Sequence, residues 1–173
     1  MTNSILADAF GHHTWATLTL LDACAGLTEE QLATTVPGTF GSIIGTLRHT
    51  VAADAGYLDL LAPGEVTSID EEDALGIGEL RATMSACGEA WERLVARELD
   101  GTELVTRHRD DGSESTAPLS IRIVQVIHHG TDHRSQVCTA LTALGIEPPE
   151  IDVWGYAWKD DRLTETEPTT PVA

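Results

Sequence analysis

The chain is short of basic residues, of aromatics and of long apolar runs, and each shortage removes a class of function. It carries 10 Lys and Arg against 28 Asp and Glu, a formal charge of −18. Phosphate backbones and anionic headgroups repel such a surface, so neither nucleic acid nor membrane is an expected partner. No apolar run approaches the ~20 residues that a membrane-spanning helix needs. Met1-Thr2-Asn3-Ser4-Ile5-Leu6 lacks a basic stretch followed by an apolar one. No secretory signal is therefore expected, and the expected location is cytoplasmic. The 3 cysteines, Cys24, Cys87 and Cys138, form no CxxC pair. They read as reduced core thiols, with Arg134 one turn before Cys138 leaving room for a reactive one. Two Phe, two Tyr and four Trp cannot fill a core. Ala, Leu, Val and Ile must do so, which favours closely packed helices.

What remains is an ordinary globular composition, 42% apolar over 173 residues, enough for one domain spanning 1–173. Apolar residues recur at three- and four-residue spacing from Ser4 to Ala25, with Ser4 as N-cap and Gly26 as stop. Thr28-Glu29-Glu30-Gln31 is a capping box opening a short helical turn. A second long helix is expected from about Ser42 to Ala62, ended by Pro63-Gly64, and a third from about Glu79 to Leu99. Between them, residues 65–78 read as an acidic, exposed loop. Asp111-Gly112, inside a weakly alternating stretch, signals a small β-hairpin before the last long helix, Leu119 to Leu144. The aromatic tail around Trp154, Tyr156 and Trp158 is expected to pack on the bundle, and 165–173 to be disordered. The fold class is all-α: a four-helix bundle with long crossover connections and the hairpin as an insertion.

Chemistry concentrates in the last long helix, in His128-His129-Gly130-Thr131-Asp132-His133-Arg134-Ser135-Gln136. His129 and His133, four residues apart, project from one helix face one turn apart and can reach one cation. His128 points about 100° away from His129. Glycine at 130 costs helix stability of about 1 kcal/mol against alanine, which suggests close approach of another backbone or a ligand. His49, in the middle of the second long helix, can face the pair if the two helices meet. His12, His13, His108 and His128 compete with it. Three imidazoles on one side of an ion would leave positions open for water or substrate.

The segment from Val126 to Leu144, with His129-x-x-x-His133-Arg134-x-Gln136, resembles the signature of the DinB-like metalloprotein superfamily. The stretch Leu47 to Leu58 resembles its other motif: His49, an acidic residue five positions later in Asp54, then Tyr57-Leu58. The likeness continues through Leu144-Gly145, Pro148-Pro149 and Asp152. It implies a four-helix bundle with a metal site for zinc, nickel or a related divalent ion, held by His49, His129 and His133. Ser135 stands where relatives often carry glycine, and Asp132 where they carry an aromatic or histidine.

Some members of that superfamily are S-transferases or isomerases that use mycothiol, bacillithiol or glutathione. The resemblance therefore implies a low-molecular-weight thiol cosubstrate and a small electrophilic substrate. Metal-dependent hydrolysis, and a non-catalytic metal-binding stress-response module, are the alternatives. Asp54, Gln125 or Gln136 could hold the outer nitrogen of a ligating imidazole. Arg134 is a candidate for binding an anionic group of cofactor or substrate, with an ion pair as the plainer role. No catalytic residue is assigned. Exposed helix faces and the aromatic tail leave room for a homodimer.

Overall fold

The structure, a computed structural model, describes residues 4–166. The expected disorder of 165–173 therefore lies, from 167 onward, outside the described residues. The elements run α1 (Ile5–Cys24), α2 (Glu29–Leu32), α3 (Ile43–Leu61), α4 (Ile77–Val95), β1 (Leu104–His108), β2 (Glu114–Pro118), α5 (Leu119–Ala143) and α6 (Val153–Lys159). The fold is mostly helical, with one antiparallel hairpin before α5, as the sequence patterns imply. None of its described helices is long and apolar enough to cross a membrane.

Local chemistry explains the boundaries. Ser4 Oγ accepts from Ala7 N at 3.1 Å, and Ser42 Oγ from Gly45 N at 3.1 Å, so both long helices start on side-chain caps. Thr28 and Gln31 form the reciprocal capping box of α2. α5 begins directly from the hairpin. Its first amides donate to the loop before β1, Leu119 N to Glu103 O at 2.8 Å and Ser120 N to Gly101 O at 3.0 Å. α5 stops at Gly145, whose φ of 73° lets Ile146 N reach back to Leu141 O at 3.0 Å. Gly112, with φ of 81°, turns the hairpin, where Thr106 lies opposite Thr116.

α1 packs on α4 and α5, and α3 packs on the same two helices, so α1 and α3 face each other across the bundle. Phe10, Leu20 and Leu21 of α1, Leu47, Val51 and Leu58 of α3, Met84 and Trp91 of α4, and Val137 and Leu141 of α5 form the dry centre. Phe10 and Trp91 touch with ring centroids 4.5 Å apart. Elsewhere small residues let helices close in: a Cβ at Gly88 would sit 3.2 Å from Thr14 Oγ1. The tail departs from expectation. It forms a helix, α6, capped by Asp152. Only Tyr156 docks, its ring 5.6 Å from Trp15 and 5.9 Å from His12. Trp154 and Trp158 point outward, 68% and 57% exposed.

Candidate metal centre

α3 and α5 cross with His49 level with His129 and His133. Ring centroids lie 4.4 Å apart for His129 and His133, 4.8 Å for His49 and His133, and 4.9 Å for His49 and His129. One nitrogen from each ring lies within 4.8 Å of the others, and His49 Nε2 is 3.0 Å from His129 Nε2. Tetrahedral zinc with bonds of about 2.0–2.1 Å needs donor nitrogens about 3.3 Å apart, a spacing that the His49–His129 pair nearly has, within a trio that spans at most 4.8 Å. The donor set suits a divalent metal, and imidazole does not by itself choose among zinc, nickel, copper and iron.

Two of the outer nitrogens are held. His49 Nδ1 bonds the Glu71 carboxylate in the loop between α3 and α4. His133 Nδ1 donates to Gln136 Oε1 at 3.1 Å, and the same oxygen accepts from Phe40 N at 2.9 Å. An Nδ1–H so engaged leaves Nε2 bare and aimed inward, the tautomer a metal needs. The Phe40 ring stacks on His49 at 4.1 Å and meets the edge of His133 at 5.2 Å, roofing the rings. Burial, helped by the neighbouring His133 and His49, pushes His129 down to about 4. Burial also lowers His133. Both are neutral at pH 7, with lone pairs free to bind.

The other residues singled out in the sequence go elsewhere. Asp54 is buried away from the trio. It accepts from His13 Nε2 at 2.9 and 3.1 Å and from Trp91 Nε1 at 2.8 Å. Arg134 lies outside the trio as well. Its Nη1 donates to His13 Nδ1 and Thr17 Oγ1, both at 3.1 Å, and its Nη2 to Thr131 Oγ1 at 3.1 Å. These bonds make His13 a neutral imidazole with Nε2–H donating and Nδ1 accepting. Gly130 does mark a close approach, but of a side chain: a Cβ there would fall 2.8 Å from His13 Nδ1 and 2.8 Å from Arg134 Nη1. Gln125, His128 and Asp132 are exposed. His12 Nε2 bonds Ile151 O at 2.9 Å, and His108 bonds Glu114 on the hairpin at 2.8 Å. Burial raises Cys138, so the thiol beside Arg134 is not an activated one.

Sequence reasoning missed Glu71 and Phe40. Both sit in connections, and the one signal for Glu71 was the general need of a ligating histidine for an outer acceptor. The loop is not free: Arg48 Nε donates to Leu75 O at 2.9 Å and ties it to α3. His49 and Glu71 form one wall of a cleft of about 1020 Å³, which α3 and the Thr106–Asp110 end of the hairpin complete.

A search among curated proteins returns no match to this chain. The family model for the DinB family matches residues 1–168, nearly the whole sequence and both helices that carry the trio. This chain belongs to the DinB family.

Proposed function

We propose that the chain is a metal-dependent S-transferase or isomerase that uses a low-molecular-weight thiol of the mycothiol type on a small electrophile. His49, His129 and His133 hold the ion, zinc or nickel. The observation that carries this reading is the convergence of three imidazoles, one of which, His49, lines the cleft, with the outer nitrogens of His49 and His133 held by Glu71 and Gln136. Three ligands from one side leave positions open. A divalent ion bound there supplies Lewis acidity, bringing a thiol or a water toward ionisation at neutral pH. The chain's own residues set the geometry. Glu71 and Gln136 fix the tautomers of His49 and His133, and Phe40 keeps water off their faces. Arg134 opens on a different cavity and has no part here. The same reading has the enzyme act in the cytoplasm, where such thiols stay reduced, as a monomer or a homodimer.

The test is elemental analysis of the purified protein, followed by conjugation assays with mycothiol, bacillithiol and glutathione. One metal per chain is expected, lost in His49→Ala, His129→Ala and His133→Ala, with thiol-dependent turnover in the loaded protein. Full metal in any of the three variants removes that residue from the ligand set. Loaded protein that conjugates with none of the thiols ends the transferase reading.

Glu71 favours a second reading. An exposed carboxylate bonded to a ligand imidazole could serve as general base for metal-assisted hydrolysis. That reading requires ester or amide turnover without thiol, lost in Glu71→Gln while metal is retained. Bound metal without either activity would leave a metal-binding module.

A further inference from the structure

α5 has a second working face. Thr131, Arg134 and Cys138 form a stripe distinct from that of His129, His133 and Gln136. The stripe lines a cavity of about 740 Å³ between α1, α5 and α6, whose walls include Ile5, Ala9, Ile127 and Ile151. The size lies within the ~300–1,000 Å³ of small-molecule sites. None of the three metal-centre histidines touches it.

At its floor is an unusual cation. Arg134 is 4% exposed, and its hydrogen-bond acceptors are an imidazole nitrogen, two threonine hydroxyls and, at 3.5 Å, a carbonyl. None of them is an anion. Asp54, reached only through His13, spends its oxygens on His13 and Trp91. Among the described residues no acceptor meets Arg134 Nε. The other charges on the cavity wall are engaged. Asp8 pairs with Arg162 at 2.8 Å, and Asp152 caps Gly155 N at 2.7 Å. A buried guanidinium with neutral partners and a spare N–H, on an apolar cavity, suits an anion with an apolar body.

We propose that this cavity binds a small monocarboxylate with an aliphatic or aromatic body, its headgroup on Arg134 and its body against Ile127 and Ile151. One guanidinium edge matches one carboxylate, and the nearby Asp8 and Asp152 disfavour a doubly charged phosphate. The site is separate from the metal centre and does not rest on the reading given above.

Calorimetric titration with octanoate tests it, run on metal-stripped and metal-loaded protein, with octan-1-ol as the neutral comparison. Octanoate is expected to bind one per chain in both forms, about tenfold more tightly than octanol, the difference made by one charge-assisted hydrogen bond. Ser135→Phe, at an exposed position on the cavity wall, is expected to abolish binding and leave metal content unchanged. Ala9→Phe fills the cavity from α1 and gives an independent check. No octanoate binding, equal binding of octanol, binding only in the metal-loaded form, or binding undiminished in both filled variants each overturns the proposal.

Discussion

Two polar clusters flank α5, one built around a single histidine and one of three, and they are opposite in their chemistry. In the His13–Asp54–Arg134 network the partners come from α1, α3, α4 and α5, and every proton on His13 and Trp91 has an acceptor. In the His49–His129–His133 trio the outer nitrogens of His49 and His133 are bonded to Glu71 and Gln136. The trio's inner nitrogens face one another, 3.0 Å apart for His49 and His129. At most one proton can lie between the two nitrogens of that pair, and no donor of the protein meets His133 Nε2 among the described residues. A buried polar group normally finds a partner, and a cluster held so that its lone pairs converge without one is shaped for a cation. The first cluster holds helices together. The second is held by them.

Asp54→Ala strikes the first cluster hardest. It leaves His13 Nε2–H and Trp91 Nε1–H without acceptors and takes from Arg134 its nearest balancing charge. A loss of about 3–5 kcal/mol is expected in urea unfolding, with metal content kept in the fraction that stays folded. His49→Ala is the mirror image: metal lost, and metal-free stability changed by no more than about 1 kcal/mol. The comparison breaks if Asp54→Ala sheds metal at unchanged stability. Gly130→Ala comes next. The added methyl gains about 1 kcal/mol of helix propensity, but it runs into a His13 ring that is fully buried and bonded at both nitrogens. Overpacking there is expected to cost a net 1–3 kcal/mol or so, read as a lowered urea midpoint.

These two clusters also divide what the sequence made legible. The facing of His129 and His133 follows from helical period alone, and Gly130 announces a close contact. The caps at Ser4 and Ser42 and the stop at Gly145 are local chemistry and read directly. What opposes each helix depends on its rotation and level against another, which no local pattern carries. Hence His13 as Gly130's neighbour, and Asp54 as the partner of His13 and not of the trio, became visible only in the fold. Glu71 and Phe40 are harder still, because loop positions are set by anchors such as Arg48 on Leu75 O and Phe40 N on Gln136. The outward Trp154 and Trp158 follow from the helix that Asp152 caps, which turns alternate aromatics away from the bundle.

The supports of the trio give a finer test. Gln136→Leu keeps the shape but removes the acceptor shared by His133 Nδ1 and Phe40 N. Metal affinity is expected to fall about 10- to 100-fold in competition with a chromophoric chelator. Glu71→Gln is expected to cost less, since its carboxylate is 47% exposed. Unchanged affinity in both would mean that packing alone orients the rings.

The gentlest probe is acid applied to the metal-free protein. His129 is held down to about 4 from 6.5, chiefly by burial, and His133 and His12 are lowered in the same direction. As pH falls below about 6.5 the unfolded chain takes up these protons first, while folded His129 resists until about 4. The unfolded state binds more protons across that window, so stability is full above it and drains away as pH drops through it. Carboxylates titrate at the lower end too, so the informative quantity is a difference. The melting temperature of His129→Gln is expected to fall less between pH 6.5 and 4 than that of the unmodified protein. In the loaded protein His129 and His133 can be protonated only by releasing the ion, which makes the acid dependence of the unmodified chain steeper with metal than without. Parallel profiles for the variant and the unmodified protein would show that His129 is not buried in its neutral form, and would remove the contrast between a trio of bare lone pairs and a satisfied network.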